Sequence, residues 1–200
     1  MLIKKLIANS SQEIDKIIET NLEKYLEILC KWNKTRNLVS RNLSKVELAE
    51  HIFDCICLMP FLDNKSIIDI GTGAGLPGII ISIMDKNKEV VLVEPNQKKI
   101  SFLLHIQAEM GLKNLVIKKE RFENAVLNSE GVLVARAFTE PNKFIEILEQ
   151  KNIENSEIIM MVSEEIKIIS PNWRVVYTAS EAEKVLEKKR GFLNISRIEN

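Results

Sequence analysis

Between residues 69 and 78 the chain reads Asp-Ile-Gly-Thr-Gly-Ala-Gly-Leu-Pro-Gly, a carboxylate followed by glycines at 71, 73, 75 and 78. Glycine lacks a Cβ and tolerates positive φ, so a ligand can lie against bare backbone there. This pattern predicts backbone N–H groups facing a pocket at a strand end. Gly73, Gly75 and Gly78 also fit the G-x-G-x-x-G dinucleotide pattern, which alone is a weak signal. Asp69 bears on the choice of ligand. A carboxylate just before the glycines repels a pyrophosphate. It suits a ligand presenting a cation, such as the amino-acid end of S-adenosylmethionine, and favours a methyl donor over a nicotinamide cofactor. Glu94 stands 19 residues past Gly75, where an acidic side chain reaches the ribose hydroxyls of an adenosine ligand. Arg136 ends the apolar run from Gly131, and a charge at the C-terminal end of a strand faces the ligand crevice.

A second set of residues suggests a different chemistry. From Lys31 to Val46 there is no acidic residue, while Lys31, Lys34, Arg36, Arg41 and Lys45 are basic. Trp32, Asn33, Asn37, Ser40 and Asn42 are interleaved with them. Cations neutralise phosphates, and amides, hydroxyls and aromatic rings add polar and stacking contacts, a composition suited to RNA. A solvated loop with a chance excess of charge reads the same way. His51 and Asp54 lie three apart and can share a helical face, either lining a site or locking the helix to the core. His105, in a helix without evident partners, reads as structural.

The elements that must position these residues follow from periodicity. Residues 12 to 32 carry an apolar stripe at three- and four-residue steps, a helix with Ser10 or Ser11 as cap. Residues 45 to 60 form a second helix, with Ser44 and Glu47 as a capping box and Pro60 as its end. Ile67 to Ile70 is a short strand apolar on both faces, and the glycine turn leads into a helix from about residue 79. Strands at 90–93, 115–118, 131–136, 158–162, 174–178 and 192–198 alternate with helices at 98–110, around Val126 and at 142–150. That alternation specifies an α/β parallel sheet.

Composition narrows the class. Two hundred residues with 46% apolar content suggest one domain with a sizeable core. Lys+Arg and Asp+Glu are balanced at 28 each, so an RNA site must be a local patch. Cys30, Cys55 and Cys57 form no even disulfide set and no metal spacing, which predicts reduced thiols in a cytoplasmic protein and no metal. No apolar run approaches the roughly 20 residues of a membrane span.

Taken jointly, several motifs are more specific than the glycine loop. They are Lys31-Trp-Asn-Lys-Thr-Arg-Asn-Leu-Val-Ser, His51-Ile-Phe-Asp54, Asp69 to Gly78, Val93-Glu94 with Lys98-Lys99 and Phe102-Leu103, Arg121-Phe-Glu123, and Arg136-Ala-Phe138. Over about residues 12 to 145 the chain resembles the RsmG (GidB) family, the bacterial 16S ribosomal RNA guanine-N7 methyltransferases. The resemblance implies a class I S-adenosylmethionine-dependent methyltransferase fold, Rossmann-like, with a seven-stranded mostly parallel sheet whose last strand is antiparallel. It implies S-adenosylmethionine as cofactor and 16S rRNA or the small ribosomal subunit as partner. The family's cofactor contacts fall on Gly71, Leu76, Phe122, Glu123 and Arg136, beside Gly73 and Glu94 from the loop reasoning. Lys31, Asn33, Lys34, Arg36, Asn37 and Arg121 fall on the RNA-facing side. The expected organisation is a helical extension over 1–62 packed on a core over 63–200, acting as a monomer. The family carries a Lys-Gly pair at the end of the fifth strand; here the stretch is Met160-Met-Val-Ser-Glu164, followed by Glu165. Two alternatives stay open: an NAD-dependent oxidoreductase, and a catalytically inactive RNA-binding or ribosome-assembly protein on the same fold. No catalytic acid or base is assigned.

Overall fold

The computed structural model describes residues 1–40, 42–62, 66–126, 131–151, 153 and 157–198. Three helices come first: α1 (Leu2–Ala8), α2 (Lys16–Arg36) and α3 (Lys45–Ile56). Then β1 (Ile67–Ile70), α4 (Gly78–Met84), β2 (Val90–Val93), α5 (Gln97–Met110), β3 (Leu115–Lys118), β4 (Val132–Arg136), α6 (Pro141–Gln150) and β5 (Ile158–Val162) alternate. The chain ends with β6 (Trp173–Ala179), α7 (Glu181–Leu186) and β7 (Gly191–Arg197).

The seven strands form one sheet in the order β3-β2-β1-β4-β5-β7-β6. The first five are parallel, and β7 runs antiparallel to both β5 and β6. Alternating side chains feed two cores. Ile67, Val90, Leu92, Val132 and Val134 pack with α1 to α5 on one face. Ile68, Ile70, Val93, Leu133 and Ala135 pack with Phe144, Ile145 and Leu148 of α6 on the other. Strand order reverses between β1 and β4, where an open sheet of this kind leaves a crevice at its carboxyl edge. The glycine loop and Arg136 stand on either side of that point.

Several boundaries differ from the sequence-based expectation. The cap of α2 is Asp15, whose Oδ1 accepts from Ile17 N at 2.6 Å. Ser10 and Ser11 serve elsewhere: Ser10 Oγ donates to Ile7 O, and Ser11 N donates to Glu181 of α7. The helix α1 was not foreseen; seven residues are short, and it owes its stability to packing of Ile3 into the core rather than to propensity. The Ser44–Glu47 capping box is present in both directions, but α3 ends at Ile56, and Pro60 lies within a separate 3-10 turn over Met59–Phe61. The expected helix around Val126 extends onto residues 127–130, which lie outside the described residues; Val126 itself is 82% exposed, and a 3-10 turn covers Phe122–Asn124. Helix α7 was also missed. Among the described residues no helix is long and apolar enough to cross a membrane.

Candidate active site

The glycine loop leaves β1 and turns through three consecutive odd positions with positive φ, Gly71 at 64°, Gly73 at 62° and Gly75 at 91°. Its N–H groups do not face a pocket. Gly71 N and Thr72 N donate to Val93 O, Gly73 N to Glu94 Oε2, Gly75 N and Leu76 N to Thr72 O, and Gly78 N to Asp69 Oδ2. Six of the loop's N–H groups are thus committed to the fold, which makes it a poor phosphate nest. What it presents instead is acceptors: the carbonyl oxygens of Gly71 and Gly73 accept no hydrogen bond among the described residues. This pattern disfavours the pyrophosphate of a nicotinamide cofactor and suits an ammonium group.

Asp69 plays a different part from the one expected. It is fully buried, and Oδ2 accepts from Thr72 Oγ1 at 2.5 Å and Gly78 N at 2.7 Å. Through Oδ2 it shapes the turn, while its buried Oδ1 has no hydrogen-bond partner among the described residues. Burial pushes its pKa up to about 7, against the lowering effect of those two hydrogen bonds. Glu94, 3% exposed at the end of β2, takes Gly73 N at 3.0 Å and Asn96 N at 2.8 Å, with Lys99 Nζ 3.7 Å away. Each carboxylate oxygen has a second lone pair, so ribose hydroxyls can still be accepted.

Leu76 and Phe122 are buried, at 4% and 2% exposure, so they offer backbone rather than side chain to a ligand. Phe122 stacks edge-on with Phe138, with ring centroids 5.8 Å apart. Phe138 in turn lies over Gly71, where an added Cβ would meet its ring at 2.4 Å. At Gly73 the nearest atom to an added Cβ is Lys99 Nζ at 3.7 Å, so that side of the loop is open. Glu123 is exposed beside it.

Arg136 ends β4 and is gripped from α3. Its Nη2 lies 2.7 Å from His51 Nδ1, and its Nε 3.7 Å from Asp54 Oδ2. Arg190 Nε is also 3.7 Å from that oxygen. His51 and Asp54 therefore meet through Arg136. These four residues, with Glu140 and Glu164, line a cleft of about 340 Å³ beyond the ends of β4 and β5. Glu164, part of the stretch that departs from the family pattern, thus stands on the cleft wall.

A sequence model of the GidB family, described as rRNA small subunit methyltransferase G, matches residues 18–190. Ribosomal RNA small subunit methyltransferase G of Nitrosomonas europaea is 34% identical over 149 residues, covering 72% of this chain and 70% of that one. The protein of that name from Psychromonas ingrahamii is 30% identical over 201 residues, 98% and 97% of the two chains. The chain belongs to the GidB family. Two solved structures share the fold at low identity. A SAM-dependent methyltransferase from Aquifex aeolicus has a TM-score of 0.53 at 17% identity, over 86% of this chain and 98% of that one. A mutant of MtNAS in complex with S-adenosylmethionine has a TM-score of 0.57 at 12% identity, over 92% and 77%. The fold is that of class I methyltransferases, and this GidB member is an S-adenosylmethionine-dependent enzyme.

The residues expected to face RNA divide. Lys31, Lys34, Arg36 and Asn37 are exposed at the C-terminal end of α2, and Arg121 is exposed at the start of the 3-10 turn after β3. Asn33 is not part of that surface. It is 7% exposed, its Oδ1 accepts from Val39 N at 3.0 Å and its Nδ2 donates to Ser40 O, so it ties down the chain leaving α2. Trp32 is half-buried and packs against Phe102 and His105, with centroids 5.5 and 5.0 Å away. That contact also gives His105 its structural role. Arg41 lies outside the described residues.

Three site residues escaped the sequence. Tyr25 of α2, fully buried, donates its hydroxyl to Ala74 O in the glycine loop at 2.7 Å. Its place in an apolar stripe carried no hint of a polar partner 49 residues away. Phe138 stands at the end of the Arg136-Ala-Phe138 motif, and Arg190 just before β7; their contacts come from strand order, which local sequence does not state.

Proposed function

We propose that the protein transfers the methyl group of S-adenosylmethionine to N7 of a guanine in 16S ribosomal RNA. Membership of the rRNA small subunit methyltransferase G family carries this reading. The cofactor's α-ammonium would meet the carbonyls of Gly71 and Gly73, its ribose Glu94, and its sulfonium end the Arg136 side of the crevice. The backbone at Leu76, Phe122 and Glu123 would flank the adenine. The cofactor supplies an activated methyl group. Guanine N7 has a free lone pair and no proton, so attack needs no general base. This chain's contribution is then to hold N7 in line with the methyl carbon and to exclude water. As the purine becomes cationic, carboxylates on the cleft wall stabilise it. Lys31, Lys34, Arg36, Asn37 and Arg121 would hold the RNA backbone. We further propose that the protein works as a cytoplasmic monomer, with the extension over 1–62 and the core over 63–200 forming one catalytic unit.

Incubation of the purified chain with labelled S-adenosylmethionine and rRNA lacking the modification tests the assignment. Label should enter one guanine, found as N7-methylguanine. Absence of label from naked RNA, precursor and small subunits alike would sink it. The nicotinamide alternative loses ground because the loop has its N–H groups committed elsewhere.

A further inference from the structure

A guanidinium has five donors in a rigid fork and no acceptor. The 2.7 Å contact between Arg136 Nη2 and His51 Nδ1 therefore has one polarity: Arg136 donates and Nδ1 accepts. The proton of the neutral imidazole then sits on Nε2. Burial first, then the charges of Arg136 and Arg190, hold the pKa of His51 down to about 4, so the ring stays neutral around pH 7. Along the same side-on edge of the fork, Asp54 Oδ2 faces Nε of Arg136 at 3.7 Å, and it faces Nε of Arg190 at the same distance. Asp54 is 4% exposed, so this carboxylate sits in low dielectric, where its hold on both arginines is strong. With Nε and one hydrogen of Nη2 engaged from α3, three donors are left for a ligand in the cleft, two on Nη1 and the second on Nη2.

We propose that His51 is a positioning residue for methyl transfer, its Nδ1 and the neighbouring Asp54 locking the Arg136 fork so that its remaining donors address the cleft beyond β4 and β5. The claim rests on Arg136 lying at the transfer site, as assigned above. It goes further in making α3, a helix outside the sheet, the part that aims the arginine. The rival role is a plain lock between helix and sheet.

Three variants of the full chain separate the two. His51→Asn places an amide oxygen near the position of Nδ1. His51→Gln carries its polar atoms further out, toward Nε2. His51→Leu has no acceptor. His51→Leu and His51→Gln should lower kcat on rRNA by roughly 10- to 100-fold, the scale of a 1 Å misplacement, with little change in KM. His51→Asn should restore kcat to near the wild-type value. Equal loss in the Asn and Leu variants, unchanged kcat in the Leu variant, or a kcat that merely follows the folded fraction overturns the proposal. A second reading needs no RNA: nitrogen NMR of the wild-type imidazole at neutral pH should show protonated Nε2 and bare Nδ1. A protonated Nδ1 overturns the claim. Failure of the functional assignment would look different, as wild-type protein that labels no rRNA.

Discussion

Two titrating groups beside the site, half-buried His51 and buried Asp69, are displaced in opposite directions. His51 is held down to about 4 from its ordinary 6.5 by burial and by Arg136 and Arg190, with Glu47 opposing and Lys188 adding slightly. The unfolded chain therefore binds the extra proton, and this contribution to stability falls as pH drops from about 6.5 to about 4. Asp69 is raised to about 7 from 3.8, chiefly by burial. Here the native state keeps the proton longer, so its contribution is complete below about 3.8 and is lost as pH rises toward about 7. Thermal melts between pH 4 and 8 should resolve the two. The two windows overlap with opposite signs and offset each other in the wild type, so His51→Asn should expose a decline as pH rises toward about 7, and Asp69→Asn a fall as pH drops toward about 4. Identical profiles for wild type and both variants would contradict these assignments. The sequence placed Asp69 at the ligand because spacing reveals that a carboxylate precedes the glycines. It does not reveal that the chain curls back to deliver Thr72 and Gly78 to it.

At the scale of elements, α2 supports the loop as well as covering the core. The Tyr25 hydroxyl reaches Ala74 O at 2.7 Å, and Ala74 is only 3% exposed. Tyr25→Phe keeps the ring's packing but leaves a buried carbonyl unpaired, which costs about 1–3 kcal/mol. The variant should melt earlier and bind S-adenosylmethionine more weakly by calorimetry. Unchanged values of both would show that the brace is idle. Elements were legible where a local rule suffices. The Ser44–Glu47 box, the left-handed Gly111 that ends α5 and the β2–α5–β3 succession stand where periodicity and capping put them. Helices α1 and α7 were not legible, since each is one or two turns long and held by distant partners: Ile3 in the core, and Ser11 and Gln12 on Glu181.

For the whole molecule, the α/β class and its seven strands follow from the sequence, and the reversal between β1 and β4 explains why the crevice lies where it does. The division at residue 62 is less natural energetically than it looks in one dimension. Leu22, Tyr25, Leu26, Leu48 and Ile52 belong to the same apolar cluster as Ile67, Ile79 and Leu92. A fragment starting at residue 63 would expose that face of the sheet and of α4 to water, and burial of such side chains is worth about 1.5–3 kcal/mol each. It should show no cooperative thermal transition and no cofactor heat. A fragment that melts sharply and binds the cofactor like the full chain would establish 63–200 as independent.

Helix α2 also links two ends of the molecule. Tyr25 sits under the loop that would hold the methyl donor, and about two to three turns further along the same helix stand Lys31, Lys34 and Arg36. A polyanion on those cations that tilted α2 would also shift the prop beneath Ala74. Thermodynamic reciprocity would then link the two ligands: whatever factor RNA imposed on donor affinity, the donor would impose on RNA affinity. The extension is on these terms a coupling rod between substrate and donor, whose strength is the ratio of donor affinities with and without RNA.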